Sequence, residues 1–180
     1  MAQRLRESNA KKATKQLDLT KQKLPTERRK PSKKEQKRLD DNLANAAKDG
    51  NNRETKRLLE AGADVNAREG SETALMMAAG HGHAKACLLL LENGADVGAK
   101  NSMGWTALHW AAFSDAQICA ALLEKGARID ETDSHGKTAL IYAKSHNNAE
   151  TAGFLRLYSI RKMLGKDADR FIYVFNECIQ

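Results

Sequence analysis

GWTALHWAA, residues 104–112, is the stretch that decides the fold of this chain. Thr106 precedes a short run in which Leu108 and the pair Ala111-Ala112 recur at helical spacing, so we expect a capped helix with one apolar face. A second apolar run follows, and Gly126 stands where a helix end commonly needs a positive φ. The stretch therefore predicts two helices joined by a short link.

The same pattern recurs along the chain at a fixed interval. The tripeptide Gly-Ala-Asp or a near copy begins at Gly62, Gly94 and Gly126, so both intervals are 32 residues. A period of this length indicates stacked supersecondary units, each of which buries its apolar face against its neighbours. We expect an all-α solenoid of helix-turn-helix units joined by hairpin-like turns, with a disordered basic N-terminal tail and a helical C-terminal cap.

This pattern resembles the ankyrin repeat, whose signature reads roughly Gly-x-Thr-Pro-Leu-His-x-Ala-Ala-x-x-Gly-His and then Leu-Leu-x-x-Gly-Ala-Asp-Val-Asn. Four copies cover residues about 40–156: the second has Thr-Ala-Leu at 73–75, the fourth has it at 138–140, and the first keeps residues 62–66. The signature histidine survives only as His109. The resemblance therefore implies that its hydrogen bond between repeats forms once.

The even intervals conceal two single-residue deletions. Gly62 to Thr73 spans 11 residues, whereas Gly94 to Thr106 spans 12. Residues 111–126 likewise span 15 where the second repeat has 16. We expect the first deletion to shorten a turn and the second to shorten the link between the two helices of the third repeat.

Charge and composition divide the chain into parts. Residues 1–38 carry 14 Lys and Arg against 4 Asp and Glu, so the rest of the chain is mildly acidic although the whole has a net charge of +7. Residues 1–31 are expected to be a disordered tail, because apolar residues are too sparse to offset the entropy of ordering. The repeats are placed at approximately 32–67, 68–99, 100–131 and 132–156.

Residues 157–180 extend the apolar pattern but do not match the repeat signature. We expect a helical cap that covers the exposed end of the stack. The alternative is a docking helix or a self-association surface, because exposed apolar patches are rarely without function.

A basic cluster marks the junction of the tail and the first helix. Its exposure and charge fit a nuclear import signal or a phosphate-binding arm, and a solubilising tail is the alternative. Residues 1–38 contain no Phe, Tyr or Trp, which single-strand binding usually adds. Ser32 and Glu35 match the capping box of a helix start. The cluster consists of Arg28, Arg29, Lys30, Lys33, Lys34, Lys37 and Arg38.

The resemblance implies recognition of a protein partner through hairpin tips and the concave face of the first helices. The third repeat stands out, because Met103, Trp105 and Phe113 are apolar where solvent-facing residues are expected. The alternative is that Trp105 folds over its neighbouring hairpin. Met77, Trp110 and Tyr142 are interpreted as packing between repeats. The positions implied for partner binding are Glu69, Glu72, His81, Met103, Trp105, Phe113, Ser134, His135, Lys137 and His146.

We expect no catalytic residues, no metal and no cofactor. His81, His83 and Cys87 lack a local fourth zinc ligand. Ser134, His135 and Asp133 lie on one predicted hairpin tip without a base-orienting partner. Cysteines without paired spacing predict free thiols and a reducing compartment.

No apolar run approaches the roughly 20 residues of a membrane span or resembles a signal peptide. The resulting expectation is a monomeric, non-enzymatic protein-protein interaction module, an adaptor or regulator, in the cytoplasm or nucleus. The alternative function is a nuclear regulator whose basic tail contacts nucleic acid.

Overall fold

A computed structural model describes residues 31–165, and within them the predicted helical repeats are confirmed. The predicted disorder of residues 1–31 and the segment 166–180 lie outside this range, apart from residue 31. The elements are α1 (Lys33–Lys48), α2 (Asn52–Glu60), β1 (Arg68–Glu69), β2 (Glu72–Thr73), α3 (Ala74–Gly80), α4 (Ala84–Glu92), α5 (Ala107–Ala111), α6 (Ala116–Glu124), α7 (Ala139–Ser145) and α8 (Ala149–Leu164).

The helices form two layers of a short stack. Consecutive helices pair within a repeat, α1 with α2, α3 with α4, α5 with α6 and α7 with α8. First helices then contact first helices of the next repeat, and second helices contact second helices. The core between repeats is built from alanines together with large side chains such as Leu75 and Leu108 on the first helices, and leucines such as Leu90, Leu122 and Leu155 are fully buried on the second. Alanine at 78–79 and 111–112 lets neighbouring helices approach closely.

The recurring glycines end the second helices. Gly62, Gly94 and Gly126 have φ values of +92°, +86° and +95°, a backbone conformation that other residues adopt only at a cost. Ser159 occupies the corresponding position of the fourth repeat, and α8 continues past it to Leu164. The boundary predicted at residue 156 therefore lies inside a helix, because no glycine ends that helix where the other repeats have one.

The two deletions have different structural outcomes. The first is confirmed as a shortened turn: β1 and β2 pair antiparallel, with Glu69 opposite Glu72. For the second, the expectation was wrong. α5 has 5 residues where α3 and α7 have 7, whereas its link to α6, residues 112–115, is not shorter than the others. The link keeps its length because Ser114 Oγ donates to the carbonyl of Ala79 and Asp115 caps α6.

The fourth repeat exposes polar side chains at two positions that are buried in the third repeat. Lys144 and Arg156 are exposed, and they stand where the third repeat has the buried residues Ala112 and Leu123. Polar residues of this kind suit the end of a finite stack. The exposed surface of the fourth repeat is nevertheless mixed, because it also includes Ile141, Leu157, Ile160 and Met163. Between residues 33 and 164, no helix is long and apolar enough to cross a bilayer.

We predict that Leu122→Ala lowers the free energy of unfolding by about 2 to 5 kcal/mol, because it leaves a cavity between repeats. Leu88→Ala is the matched control, since Leu88 also lies on a second helix but is 44% exposed. It should cost less than about 1 kcal/mol. Urea denaturation of both variants measures the difference, and equal losses would contradict the placement of the core.

Candidate functional site

The hairpin of the fourth repeat is organised around the carboxylate of Asp133. Oδ1 accepts the backbone N–H groups of His135 and Lys137, at 2.8 and 2.9 Å. Oδ2 accepts the hydroxyl of Tyr142 and the indole N–H of Trp105, at 2.5 and 3.1 Å. The Asp133 side chain has no exposed surface. Four donors thus replace the water that an exposed carboxylate would bind.

These donors decide the charge of Asp133. Burial by itself raises the pKa of this carboxyl, because it penalises the charged form. The hydrogen bonds from Tyr142, from the backbone of Lys137 and His135, and from Trp105 outweigh burial and hold the pKa well below its usual range. Asp133 is therefore a buried anion at neutral pH. It accepts two hydrogen bonds from backbone N–H groups of its own hairpin and two from neighbouring side chains.

The position of Trp105 corrects one expectation from the sequence. Its side chain is half-buried, and its hydrogen bond to Asp133 crosses from the third hairpin to the fourth. The alternative, that Trp105 folds over its neighbouring hairpin, is the arrangement observed. Trp105 therefore contributes to the stability of the stack. Its replacement would lower the stability of the fold as well as change the exposed surface.

Aromatic rings surround Trp105 on the side of the first helices. We call Trp105, Trp110, Phe113 and Tyr142 the aromatic cluster. Trp105 stacks on Phe113 with centroids 5.5 Å apart and planes at 12°, and it lies 4.6 Å from Tyr142 and 4.9 Å from Trp110. Phe113 also contacts Tyr142 at 5.5 Å and the ring of His146 at 4.3 Å. The cluster joins the first helices of the third and fourth repeats.

His109, on α5, also links the third repeat to the fourth hairpin. Its Nδ1 accepts the backbone N–H of Thr106 at 3.1 Å and so completes the cap of α5. Nε2 consequently carries the proton and donates to the carbonyl of Lys137 at 3.1 Å. The predicted hydrogen bond of this histidine between repeats is confirmed. Burial lowers the pKa of His109, so the neutral ring is favoured.

The junction between the second and third repeats lacks this carboxylate. Asn101 stands 32 residues before Asp133, and its Oδ1 likewise accepts two backbone N–H groups, from Met103 and Trp105. Its Nδ2 is buried and has no partner among the described residues, and the same holds for Nε1 of Trp110. An amide thus orders the third hairpin, but the side-chain link through an anion belongs to the third and fourth repeats.

The structure places the positions implied for partner binding in two groups. Glu69 and Glu72 lie half-buried on the second hairpin, and His81 is exposed at the end of α3. The other seven lie on the third and fourth repeats. Of these, Trp105 and Phe113 are half-buried and the rest are exposed, namely Met103, Ser134, His135, Lys137 and His146.

The sequence places Asp133 only at a hairpin tip with Ser134 and His135, and it assigns Tyr142 to packing alone. The hydrogen bonds that Asp133 accepts from Trp105 and Tyr142 were not predicted. The signal for Asp133 was its 32-residue spacing from Asn101, which marks the same hairpin position in two repeats. Lys137, one of the positions implied for partner binding, lies beside Tyr142: its Nζ is 5.6 Å from the centroid of the Tyr142 ring. The structure thus adds Tyr142 to the predicted surface, together with a buried anion that holds Tyr142 and Trp105 in place.

The described part of the basic cluster lies on the first turns of α1. Lys33, Lys34, Lys37 and Arg38 are exposed there. Helix α1 begins at Lys33, directly after Ser32, as the capping motif predicts. Arg28, Arg29 and Lys30 lie outside the residues that the structure describes.

Other candidate chemistry is limited in the described part of the chain. Among residues 31–165, no group of three His, Cys, Asp or Glu side chains could hold a metal ion. Cys87 and Cys119 are buried free thiols, and burial raises the pKa of each to about 12. They are therefore protonated and unreactive at neutral pH. Ser134 Oγ lies 3.3 Å from Nδ1 of His135, but both side chains are exposed at a hairpin tip.

Comparison with protein families gives one match. A family model described as ankyrin repeats, in three copies, matches residues 14–101, 43–133 and 99–164. Comparison with curated proteins gives no match. The matched stretches together span the four helix pairs described above.

We predict that Tyr142→Phe lowers the free energy of unfolding by about 1.5 to 3 kcal/mol, because a buried anion loses one of its donors. Tyr158→Phe is the matched control, since the hydroxyl of Tyr158 forms no hydrogen bond within residues 31–165. It should change stability by less than about 0.5 kcal/mol. Chemical denaturation compares the two; equal effects would show that the Asp133 contact contributes nothing.

The lowered pKa of His109 predicts a dependence of stability on pH. Below the ordinary histidine pKa of about 6.5, the unfolded chain takes up this proton before the folded chain does. The free energy of unfolding should therefore fall between about pH 7.5 and about pH 5.5. His109→Met, which installs the residue that the second repeat has at Met76, should reduce this fall, and His81→Gln should retain it. Urea denaturation at both pH values measures it, and an unchanged fall in His109→Met would refute the assignment.

Proposed function

Because the chain belongs to the ankyrin repeat family, we propose that it is a non-enzymatic adaptor or regulator that binds a protein partner. Ankyrin repeats are in general protein-protein interaction modules. The binding surface proposed here is formed by the third and fourth hairpins and the aromatic cluster, on the side of the first helices. The single observation that carries this choice is the cluster of half-buried aromatic rings across the third and fourth repeats, with the exposed Met103 on the same hairpin as Trp105.

The rigidity of this region supports its assignment as a binding surface. The third and fourth hairpins are joined by the hydrogen bond from Ser134 N–H to the carbonyl of Met103, at 3.0 Å. They approach so closely that a Cβ atom added to Gly104 would lie 2.9 Å from the Ser134 nitrogen. Lys100 also donates to the carbonyl of Thr132 at 3.2 Å. A surface held in this way loses little conformational entropy when a partner binds.

Met103 offers a test that separates binding from folding. Its side chain is 45% exposed, so a change there leaves the core intact, unlike a change of Trp105. Leu88 on α4 is the matched control, with 44% exposure on a second helix. Both residues are large and apolar; Met103 lies on the third hairpin, and Leu88 lies on a second helix.

We predict that Met103→Glu weakens partner binding at least about tenfold, because it places a charge among the apolar contacts of the interface. Leu88→Glu should retain binding. The measurement is quantitative capture of proteins from a cell lysate by the full chain and by each variant. Proteins retained by the full chain should be lost with Met103→Glu and kept with Leu88→Glu. The proposed surface is wrong if both variants retain the same proteins.

A second candidate function is that of a nuclear regulator whose basic segment contacts nucleic acid. The observation that favours it is the placement of Lys33, Lys34, Lys37 and Arg38 on the first turns of α1. Cations in the first turn of a helix oppose the helix dipole, so the placement of Lys33 and Lys34 is unfavourable for α1 by this effect. An anionic partner would explain their position.

We predict that the full chain binds duplex DNA with an affinity that falls steeply between about 50 and 200 mM salt. Replacing Lys33, Lys34, Lys37 and Arg38 by Gln should reduce the slope of log affinity against log salt by roughly 3 to 4. Fluorescence anisotropy measures both. A slope that is unchanged in the variant would remove α1 from the contact and leave the second candidate without support.

A further inference from the structure

The aromatic cluster has a cationic edge. Lys137 lies over the ring of Tyr142, with Nζ 5.6 Å from the ring centroid. The ring centroids of His146 and Phe113 lie 4.3 Å apart. His135, on the fourth hairpin with Lys137, has a side chain that is 71% exposed. The two exposed titratable side chains that contact the rings of Tyr142 and Phe113, Lys137 and His146, are therefore bases.

The carboxylate that touches this cluster is unavailable to the cationic edge. Asp133 has no exposed surface, and both its oxygens are occupied by the four donors described above. Nδ1 of His135 lies 3.8 Å from Oδ2 of Asp133, but the ammonium of Lys137 enters no ion pair or hydrogen bond within residues 31–165. Within the described part of the chain, this ammonium lies over the ring of Tyr142.

Basic residues of the earlier hairpins are used differently. Arg68 donates to the carbonyls of Ser71 and Lys100, at 2.8 and 2.9 Å. Lys100 pairs with Glu131 at 2.5 Å. These side chains link neighbouring hairpins. The ammonium of Lys137 forms no such link within the described residues and lies over the Tyr142 ring. Its charge is therefore available to an incoming group.

The aromatic rings beside Lys137 are held in fixed orientations, which suits the binding of a large apolar side chain. Trp105 is fixed through its N–H by Asp133 and through its face by Phe113, at 5.5 Å. Tyr142 is fixed through its hydroxyl by the same carboxylate. Half-buried aromatic rings of fixed orientation are typical anchors for bulky apolar groups of a partner.

We propose that the surface of Met103, Trp105, Phe113, Tyr142 and Lys137 recognises an acidic peptide segment that carries a bulky apolar side chain. The apolar side chain packs on the rings, and a neighbouring carboxylate pairs with Lys137. This inference rests on the proposed function and specifies the chemistry of the partner. Charge complementarity then selects among peptides that could all fill the apolar surface.

Single-stranded nucleic acid also combines stacking groups with negative charge, but it fits this surface less well. Tracking a phosphate backbone requires a groove lined with several cations. Here one lysine adjoins the rings, and the next hairpin but one presents Glu69 and Glu72 on β1 and β2. These two carboxylates would repel a polyanion that ran along the row of hairpins.

The test is selection of a random peptide library on the full chain, followed by fluorescence anisotropy with the enriched peptides. We expect enrichment of peptides that combine Asp or Glu with a bulky apolar residue. Lys137→Glu should weaken their binding about tenfold or more. Lys34→Glu is the matched control, because it makes the same charge change within the basic cluster of α1, and it should leave the affinity within about twofold.

The outcomes separate the inference from the proposed function. Enriched peptides without acidic bias, or equal effects of Lys137→Glu and Lys34→Glu, would overturn the inference; the proposed surface would stand if Met103→Glu still abolished binding. Absence of any enriched peptide would overturn the inference alone, whereas full binding by Met103→Glu would overturn both. Displacement of the bound peptide by an oligothymidylate, reduced by Lys137→Glu, would assign the surface to nucleic acid instead.

Discussion

Each repeat of this chain must bury one face of its helix pair against the next repeat, and the rest of the structure depends on this constraint. No single pair of short helices could bury enough apolar surface alone. The alanines of the first helices meet this constraint by letting successive helices approach, and Leu90, Leu122 and Leu155 fill the space between second helices. At the fourth repeat, Lys144 and Arg156 replace buried apolar residues.

The hairpins add polar contacts to this apolar stack. In the third and fourth repeats, those contacts converge on Asp133, which receives donors from its own hairpin, from α7 and from the preceding hairpin. His109 adds a hydrogen bond to the carbonyl of Lys137. Hairpins that would otherwise move separately are thus held as one surface. The proposed binding surface coincides with this region, because a partner gains most where the residues that it contacts are already ordered.

The candidate site could be predicted only in part. The apolar residues Met103, Trp105 and Phe113 were visible because they occupy positions that the family pattern leaves variable. The burial of Trp105 was not visible, because an indole at a variable position can face solvent or cross to the next hairpin. The presence of Asp133, 28 residues later, decides between these outcomes. Local pattern carries no information about a pairing at that separation.

The sequence by itself determined the repeat, its period, the order of the helices and the glycines that end three of them. These features follow from short-range rules, namely apolar periodicity and backbone conformation, which can be read from neighbouring residues. Only the tertiary structure decided that the second deletion shortens α5, that α8 passes through residue 156, and that Asp133 joins Trp105 to Tyr142. Those outcomes depend on which side chains meet when one repeat packs on another, and stacking brings together residues that are far apart in the chain.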